Sequence, residues 1–127
     1  MQRSFRLTRS EDFKRVRRDG KSYAHPLVVL IVQNNDQPRV RVGVAAGKPV
    51  GTAVIRNRTK RLLREAMRIL IPNIVLRHSL RSQDTASGLD LILVARPALA
   101  SASLADTQSA LLNLLQRAKI LTPKHES

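Results

Sequence analysis

The spacing of apolar residues divides the first third of the chain into one helix and two strands. Residues 9–19 place Phe13 and Val16 on one helical face, which predicts a short first helix. The segment 26–32 is continuously apolar, which indicates a strand that is buried on both faces or central in a sheet. Residues 39–46 alternate between arginine and valine, so we expect a half-buried strand with its valines inward and its arginines outward.

A second, longer helix is predicted from residue 51 onward, because apolar positions recur there every three to four residues. Its apolar side contains Ile55, Thr59, Leu62, Leu63, Ala66, Met67, Ile69 and Leu70. Pro72 is expected to end this helix, since proline removes a backbone donor and clashes with the preceding turn. Residues 73–88 have weak periodicity and a polar, turn-rich end, so we interpret them as a loop or insertion that can contain a short helical piece. Residues 122–127 form a polar tail.

The last third of the chain predicts another strand and another helix. Residues 89–95 are apolar and indicate the strand, and the final helix begins near Ser101 or Ser103. The element order is therefore αββαβα, with an extra short strand near residues 21–24 left open. We expect one domain over residues 1–127 with an α/β (α+β) fold, a two-layer sandwich whose helices pack against one sheet.

The net positive charge of the chain indicates a polyanionic partner. With 127 residues, of which 43% are hydrophobic, the chain is long enough for one domain with a single core. The formal net charge is +14, which indicates nucleic acid or an anionic membrane surface as the partner. Residues 1–68 carry 17 Lys and Arg residues against 5 Asp and Glu residues, so the N-terminal half is expected to form the binding surface.

Missing residue types exclude several classes of protein. The chain has no cysteine, which excludes a zinc finger, a disulfide scaffold and a thiol nucleophile and fits a cytoplasmic protein. No apolar run approaches the ~20 residues of a membrane-spanning helix, and the N-terminus lacks the apolar core of a signal peptide. A membrane-surface protein would need bulky aromatic residues beside its basic ones, and the chain has only Phe5, Phe13 and Tyr23. We therefore expect no membrane partner.

The second predicted helix carries basic residues opposite its apolar side. A charge run of this kind is usually a solvated helix face. Here arginine outnumbers lysine five to one between Arg56 and Arg68, and Glu65 is the only acid in that stretch. Because arginine makes bidentate contacts with phosphate, this composition favours a nucleic-acid backbone over a small substrate. Arg58 lies beside the group in the first turn. We call the group the basic strip, and its members are Arg56, Asn57, Lys60, Arg61, Arg64 and Arg68.

No group of residues in the sequence suggests that the protein itself catalyses a reaction. The histidines His25, His78 and His125 lack the spacing of metal ligands, and the carboxylates are scattered. Asp90 lies inside an apolar strand, where it faces Arg96 or a helix end, or lies on the solvent face. We therefore predict no catalytic residues, no metal site and no cofactor bound by the protein alone.

Several of these segments resemble the protein subunit of bacterial ribonuclease P. The likeness is strongest over residues 53–64, where Arg-Asn-Arg-Thr-Lys-Arg-Leu-Leu-Arg is similar to that family's RNR motif. Weaker matches occur in the family's order over most of the chain, and they are Arg6-Leu7, Glu11-Asp12-Phe13 with Val16, Gly20-Lys21, Arg41-Val42-Gly43-Val44 and Asp90–Pro97.

The resemblance implies a fold, a set of partners and a division of labour. The fold would be like the second domain of a small-subunit ribosomal protein, with a left-handed βαβ crossover that breaks the usual rule. A large RNA subunit would hydrolyse the phosphodiester bond with Mg²⁺ that the RNA mainly holds, and the protein alone would be inactive. The protein would bind this RNA and the 5′ leader of precursor tRNA, without an obligate protein partner.

Carried over by position, the resemblance also assigns site residues. Lys48, Arg58 and the basic strip would bind RNA, and a cleft would hold the leader with Phe13, Arg17 and Ile31. Relatives often carry further aromatic residues at the last two positions. Phe13 has two interpretations, a core residue or a platform on which a base stacks. Since Phe13 precedes the basic strip by about 40 residues, we expect that the leader site and the strip can be perturbed separately. The alternative function is a structural RNA-binding protein of the ribosome or of its assembly.

Overall fold

The computed structural model describes residues 5–35, 37, 39–81 and 88–121. In these ranges it contains three α-helices and one four-stranded sheet. The short extra strand that the sequence left open is present, so the order is αβββαβα. The predicted polar tail at 122–127 lies outside the described residues. The elements are α1 (Ser10–Asp19), β1 (Lys21–Ala24), β2 (Val28–Asn35), β3 (Val40–Ala45), α2 (Ala53–Arg81), β4 (Gly88–Ala95) and α3 (Leu104–Arg117), with 3₁₀ helices at Lys48–Val50 and Pro97–Ser101.

The prediction that α2 ends near Pro72 is wrong. The loop that the sequence predicts from residue 73 onward is also wrong as far as residue 81, because the structure shows helix there. α2 has 29 residues with Pro72 inside it and continues to residue 81. Ile71 and Ile74, on either side of the proline, are 3% and 0% exposed. Burying each of these side chains contributes about 1.5–3 kcal/mol, which offsets the cost of about 3 kcal/mol for proline inside a helix. Packing against the core therefore overrides the local preference of proline.

The four strands form one mixed sheet in the order β1-β2-β4-β3. β2 is antiparallel to β1 and to β4, whereas β3 is parallel to β4 with Val42 opposite Leu91. α2 connects these two adjacent parallel strands, so it forms the βαβ crossover that the resemblance implies. The left hand of that crossover stays a prediction.

Helices pack on both faces of the sheet. On one face, Leu30 and Leu91 belong to the main core with α2 and α3. On the other face, Ile31 and Ile92 pack with Val16 of α1 in a second cluster. Neighbouring residues of a strand point to opposite faces. The parts of β2 and β4 that lie between the two clusters must therefore be apolar at consecutive positions. The continuous apolar runs of the sequence are explained by this two-sided burial.

The buried side of α2 agrees with the predicted one except at Ile69. Leu63, Ala66 and Met67 are fully buried, and Thr59 is 2% exposed. Ile69, which was expected on the same side, is 53% exposed. It follows Leu63 by six residues, and at about 100° per residue this puts it roughly 120° around the helix, beyond the buried face.

The segment before α1 closes over the free edge of β3. Arg6 forms a parallel bridge with Val42, and the N–H of Leu7 donates to the carbonyl oxygen of Val42 at 2.8 Å. The Leu7 side chain is 3% exposed and belongs to the second cluster. This edge is therefore covered by a segment that also brings an arginine to it.

α3 begins at one of the two predicted serines. The hydroxyl of Ser103 accepts the backbone N–H of Asp106 at 3.0 Å, which caps the helix. At the other end, Arg117 donates to the carbonyl oxygen of Ala24 at 2.6 Å. α3 is thereby tied to β1 at the far edge of the sheet.

Candidate RNA-binding surface

α2 presents its polar residues in two groups, one on the open side of the helix and one on a flank. Those on the open side are Asn57, Arg58, Arg61 and Arg68, all exposed. Those on the flank are partly buried and follow one another at intervals of four residues, and they are Arg56, Lys60 and Arg64. A spacing of four aligns side chains along a helix, so the flank is a row of cations.

The positive charge of this surface is largely uncompensated. In the described part of the chain, Arg68 is the only residue of the basic strip with an ion pair, to Glu65 at 2.8 Å. Both side chains of that pair are exposed to solvent, so the pair holds Arg68 only weakly. A rigid helix with unpaired arginines attracts a chain of regularly spaced phosphates.

The start of α2 adds to this attraction. Its first turn contains no acid, although the N-terminus of a helix favours negative charge. Thr52 caps the helix, since its hydroxyl accepts the N–H of Ile55 at 3.3 Å. Gly51 has a φ of 149°, a conformation that side chains rarely adopt, and it joins α2 to the 3₁₀ helix that carries the exposed Lys48. With no acid among them, Lys48 and this first turn suit an anion.

A cleft of about 180 Å³ lies where α1, β3 and α2 converge. It contains Phe13 of the predicted leader site together with Arg64 of the basic strip. The two predicted sites therefore meet in one cleft, because elements distant in the chain come together at the edge strand β3. The residues that line the cleft are Arg6, Leu7, Thr8, Phe13, Val42, Gly43, Val44 and Arg64.

Two guanidinium groups share this cleft. Burial lowers the pKa of Arg64 from its ordinary value, and the positive charge of Arg6 lowers it further. Neither arginine has an acidic partner among the described side chains. A bound anion would remove this repulsion, and a phosphate offers the acceptor oxygens that two guanidinium groups can contact.

The position of Phe13 is compatible with both interpretations that the sequence left open. Its side chain is partly buried and packs against the second cluster, which contains Ile31 and Ile92. It also borders the cleft, where its ring lies against Gly43 of β3. The ring is therefore anchored on one side and available to a ligand on the other.

The two other predicted cleft residues differ in accessibility. Arg17, one helical turn after Phe13, is exposed. Ile31 is only 7% exposed, packs beneath α1 and does not border the cleft. An isoleucine at this position packs against α1 and has no polar end that would draw it toward solvent. Little of its surface is left for a ligand.

A buried ion-pair network fixes α1 on the sheet, and the sequence did not reveal it. Asp90 is 0% exposed, and both of its carboxylate oxygens are engaged by Arg41, at 2.9 Å each. Arg15 of α1 donates to the same carboxylate at 2.5 Å, and Asn35 does so at 2.7 Å. Arg15 also contacts Asp12 at 3.2 Å.

The network keeps Asp90 ionised. Burial by itself would raise the pKa of Asp90, but hydrogen bonds from Arg41, Arg15 and Asn35 outweigh it, so the pKa is lowered from its ordinary value. The hydrogen bond to Asp90 in turn raises the pKa of Arg15. None of the three environments predicted for Asp90 is correct: it faces neither Arg96, nor a helix end, nor solvent. Arg41, expected to point outward into solvent, is its partner.

The described residues do not contain a candidate metal site. No three His, Asp or Glu side chains among them lie close enough together to hold a metal ion. His25 accepts the N–H of Leu27 at 3.1 Å and so shapes a turn. The side chains of His78 and His125 lie outside the described part. Within the same ranges, no helix has the length and apolarity needed to cross a membrane.

Comparison with known proteins gives a consistent result in sequence and in structure. A family model described as Ribonuclease P matches residues 1–119. The ribonuclease P protein component of Herpetosiphon aurantiacus is 40% identical over 120 residues, which cover 94% of this chain and 89% of that protein. The solved RNase P protein of Staphylococcus aureus is 26% identical with a TM-score of 0.72, over 98% of this chain and 97% of the other. The RNase P protein of Thermotoga maritima, solved with a thiourea compound, is 27% identical with a TM-score of 0.71, over 88% and 98%.

Proposed function

The chain belongs to the ribonuclease P protein family, and we propose that it binds both the catalytic RNA of that enzyme and the 5′ leader of precursor tRNA. Membership makes it the protein component of ribonuclease P, an endoribonuclease of tRNA processing, and implies an RNA subunit as its partner. The proposal also locates the protein in the cytoplasm, together with these RNA partners. No further protein is required by the proposal.

The basic strip, with Arg58 and Lys48, binds the phosphates of the RNA subunit. The observation that carries this assignment is the set of basic residues on α2, of which only Arg68 has an acidic partner in the described part of the chain. Each phosphate contact of this kind adds about one unit to the dependence of log affinity on log salt concentration. The exposed side of α2 offers several such contacts on one rigid element.

The cleft beside Phe13 receives the leader. An unpaired nucleotide has a base that stacks on an aromatic ring and a phosphate that binds arginine. The cleft offers both, since Phe13 lies in it together with Arg6 and Arg64. Arg17 extends the positive edge of α1, and Ile31 supports the helix from below. Such a site distinguishes precursor tRNA from mature tRNA, which has no leader.

Phosphodiester hydrolysis belongs to the RNA subunit in this proposal, with Mg²⁺ held mainly by that RNA. Protein nucleases that use metal need a cluster of carboxylates, and the described residues contain none. Both oxygens of the buried Asp90 carboxylate already accept hydrogen bonds from two arginines beneath α1. The protein therefore contributes binding and orientation to the reaction.

A reconstitution with each component omitted in turn tests the proposal. The purified chain is mixed with a bacterial ribonuclease P RNA, precursor tRNA and Mg²⁺, and the released leader is measured. We expect site-specific cleavage that requires the RNA subunit and is stimulated by the protein. Robust cleavage by the protein without RNA would refute the assignment of catalysis. Binding of RNA with no effect on cleavage would instead favour a structural ribosomal role.

A further inference from the structure

Gly43 of β3 lies directly beneath the ring of Phe13, at the floor of the cleft. A Cβ atom at position 43 would lie 2.9 Å from Cε2 of Phe13 and 3.0 Å from the carbonyl oxygen of Leu7, and closer still to Cζ of the ring. Carbon atoms in close-packed proteins do not approach non-bonded neighbours this closely, because their optimal separation is about 3.5–4.0 Å. The ring therefore occupies the space that any side chain at position 43 would need.

The requirement at this position is for space and not for an unusual backbone. Gly43 pairs with Ile92 of β4 in the regular register of the sheet, and among the described glycines only Gly51 has a positive φ. A glycine inside a strand normally weakens it, and one of its uses is to let another group approach closely. Here the approaching group is an aromatic side chain from another element.

Gly43 is also the residue of β3 best placed to direct this ring. Its neighbours Val42 and Val44 have side chains on the opposite face of the strand. Two residues earlier, Arg41 is held by Asp90, which also holds α1 through Arg15. With α1 fixed in this way, the surface of β3 at position 43 decides how close to the sheet the ring of Phe13 can lie.

We propose that Gly43 is a positioning residue for leader recognition: it lets the ring of Phe13 lie against β3, so that the ring's free surface and the Arg6–Arg64 pair bind one leader nucleotide together. The inference rests on the proposed role of the cleft. A methyl group at position 43 would move the ring away from the sheet and fill part of the cleft floor. The base would then lose its platform while the phosphate sites on the open side of α2 stay intact.

Gly43→Ala in the reconstituted holoenzyme tests the inference, with Gly47→Ala as the matched control. A Cβ atom at Gly47 would meet only Cδ of Pro49, at an ordinary 3.5 Å. We expect Gly43→Ala to reduce the preference for precursor over mature tRNA about tenfold, within the range expected for losing one stacked base. Affinity for the RNA subunit should not change. KM for precursor tRNA should rise with little change in kcat, and Gly47→Ala should leave all of these values as they are.

A second variant covers the case in which Gly43→Ala folds poorly. Leucine at position 13 lacks the ring atoms Cε2 and Cζ that obstruct a Cβ atom at position 43. Gly43→Ala with Phe13→Leu should therefore melt close to Phe13→Leu alone, whereas Gly43→Ala alone melts lower. Selectivity for precursor tRNA should stay low in the double variant, since no aromatic platform remains.

Phe13→Ala separates failure of this inference from failure of the proposed leader site. If Phe13→Ala lowers the precursor preference and Gly43→Ala does not, the inference is overturned and the leader site stands. If Phe13→Ala leaves that preference unchanged, the leader site itself fails and the inference fails with it. A Gly43→Ala protein that loses precursor tRNA, mature tRNA and RNA subunit in equal proportion would show a purely structural role and would also overturn the inference.

Discussion

Replacing Asp90 by asparagine should destabilise the protein strongly, although the two side chains have nearly the same shape. In the wild-type protein, the buried carboxylate accepts two hydrogen bonds from Arg41, one from Arg15 and one from Asn35. The amide introduced by Asp90→Asn would carry no charge and would present an N–H₂ group where two guanidinium groups also donate. The variant leaves Asp12, which is 3.2 Å from Arg15 and 3.8 Å from Arg41, as the only carboxylate paired with these two cations among the described residues.

The expected loss of stability depends on how exposed the two arginine side chains are to water. Removing one member of a fully buried ion pair costs about 3–5 kcal/mol. The side chains of Arg15 and Arg41 are 30% and 18% exposed, so water can partly replace the lost carboxylate. We therefore expect the lower end, about 3 kcal/mol, which for a domain of this size lowers Tm by roughly 10–15 °C.

The pH dependence gives an independent check. Because the folded-state pKa of Asp90 is lowered, its contribution is fully present above the unfolded carboxyl pKa of about 3.9 and is lost as the pH falls through the folded value. The difference in unfolding free energy between wild type and Asp90→Asn should thus be constant near neutral pH. It should shrink below about pH 4, where Asp90 takes up a proton in the unfolded wild-type chain while the folded protein still holds it ionised.

Denaturant unfolding at pH 7 and at several values between about pH 5 and pH 2.5 measures both effects. Asp19→Asn is the matched control, because Asp19 also pairs with an arginine of α1, Arg18, but lies in solvent. That substitution should change stability little at any of these pH values. An Asp90→Asn protein within about 1 kcal/mol of wild type at pH 7, or a difference that persists in acid, would refute the role given to the network.

Two further substitutions test the basic strip and the length of α2. Lys60→Ala, on the strip but outside the cleft, should weaken holoenzyme assembly and lower the log–log salt slope by about one unit, while Arg117→Ala on α3 should leave the slope unchanged; equal slopes for the Lys60 variant and wild type would contradict phosphate binding. Ile74→Ala should cost about 2–5 kcal/mol, since this buried residue lies beyond Pro72, whereas Asn73→Ala next to it is exposed and should stay within about 0.5 kcal/mol. Equal unfolding free energies for these two variants would contradict a packed helix after the proline.

The sequence predicted the elements whose signals are local. The apolar runs at 26–32 and 89–95 became the two strands that are buried on both faces, and the alternation at 39–46 became the edge strand β3. The spacing of polar residues in α2 also placed its basic strip on the correct side. Each of these signals depends only on residues within one element.

Features that depend on how elements meet could not be predicted from the sequence. Asp90 and Arg41 are partners because β3 and β4 pair in a particular parallel register, and this register is set by packing of the whole sheet. The meeting of Phe13 and Arg64 in one cleft depends on where α1 docks. The helix continues past Pro72 because Ile74 is buried in the core. This packing cannot be predicted from the local sequence. The sequence signal for the network was Asp90 itself, since a charged residue inside an apolar strand indicates a buried partner of opposite charge without identifying it.

The position of β4 between β2 and β3 has a consequence for how the chain folds during synthesis. β2 and β3 leave the ribosome before β4, yet they are not neighbours in the sheet, and β4, which joins them, follows the whole of α2. Until then Leu63 and Met67 of α2 have no partner such as Leu91 or Leu93 to pack against. Such long-range pairing makes folding a late, cooperative event. Nascent chains arrested before residue 88 should remain sensitive to protease, whereas chains that extend past α3 should resist it.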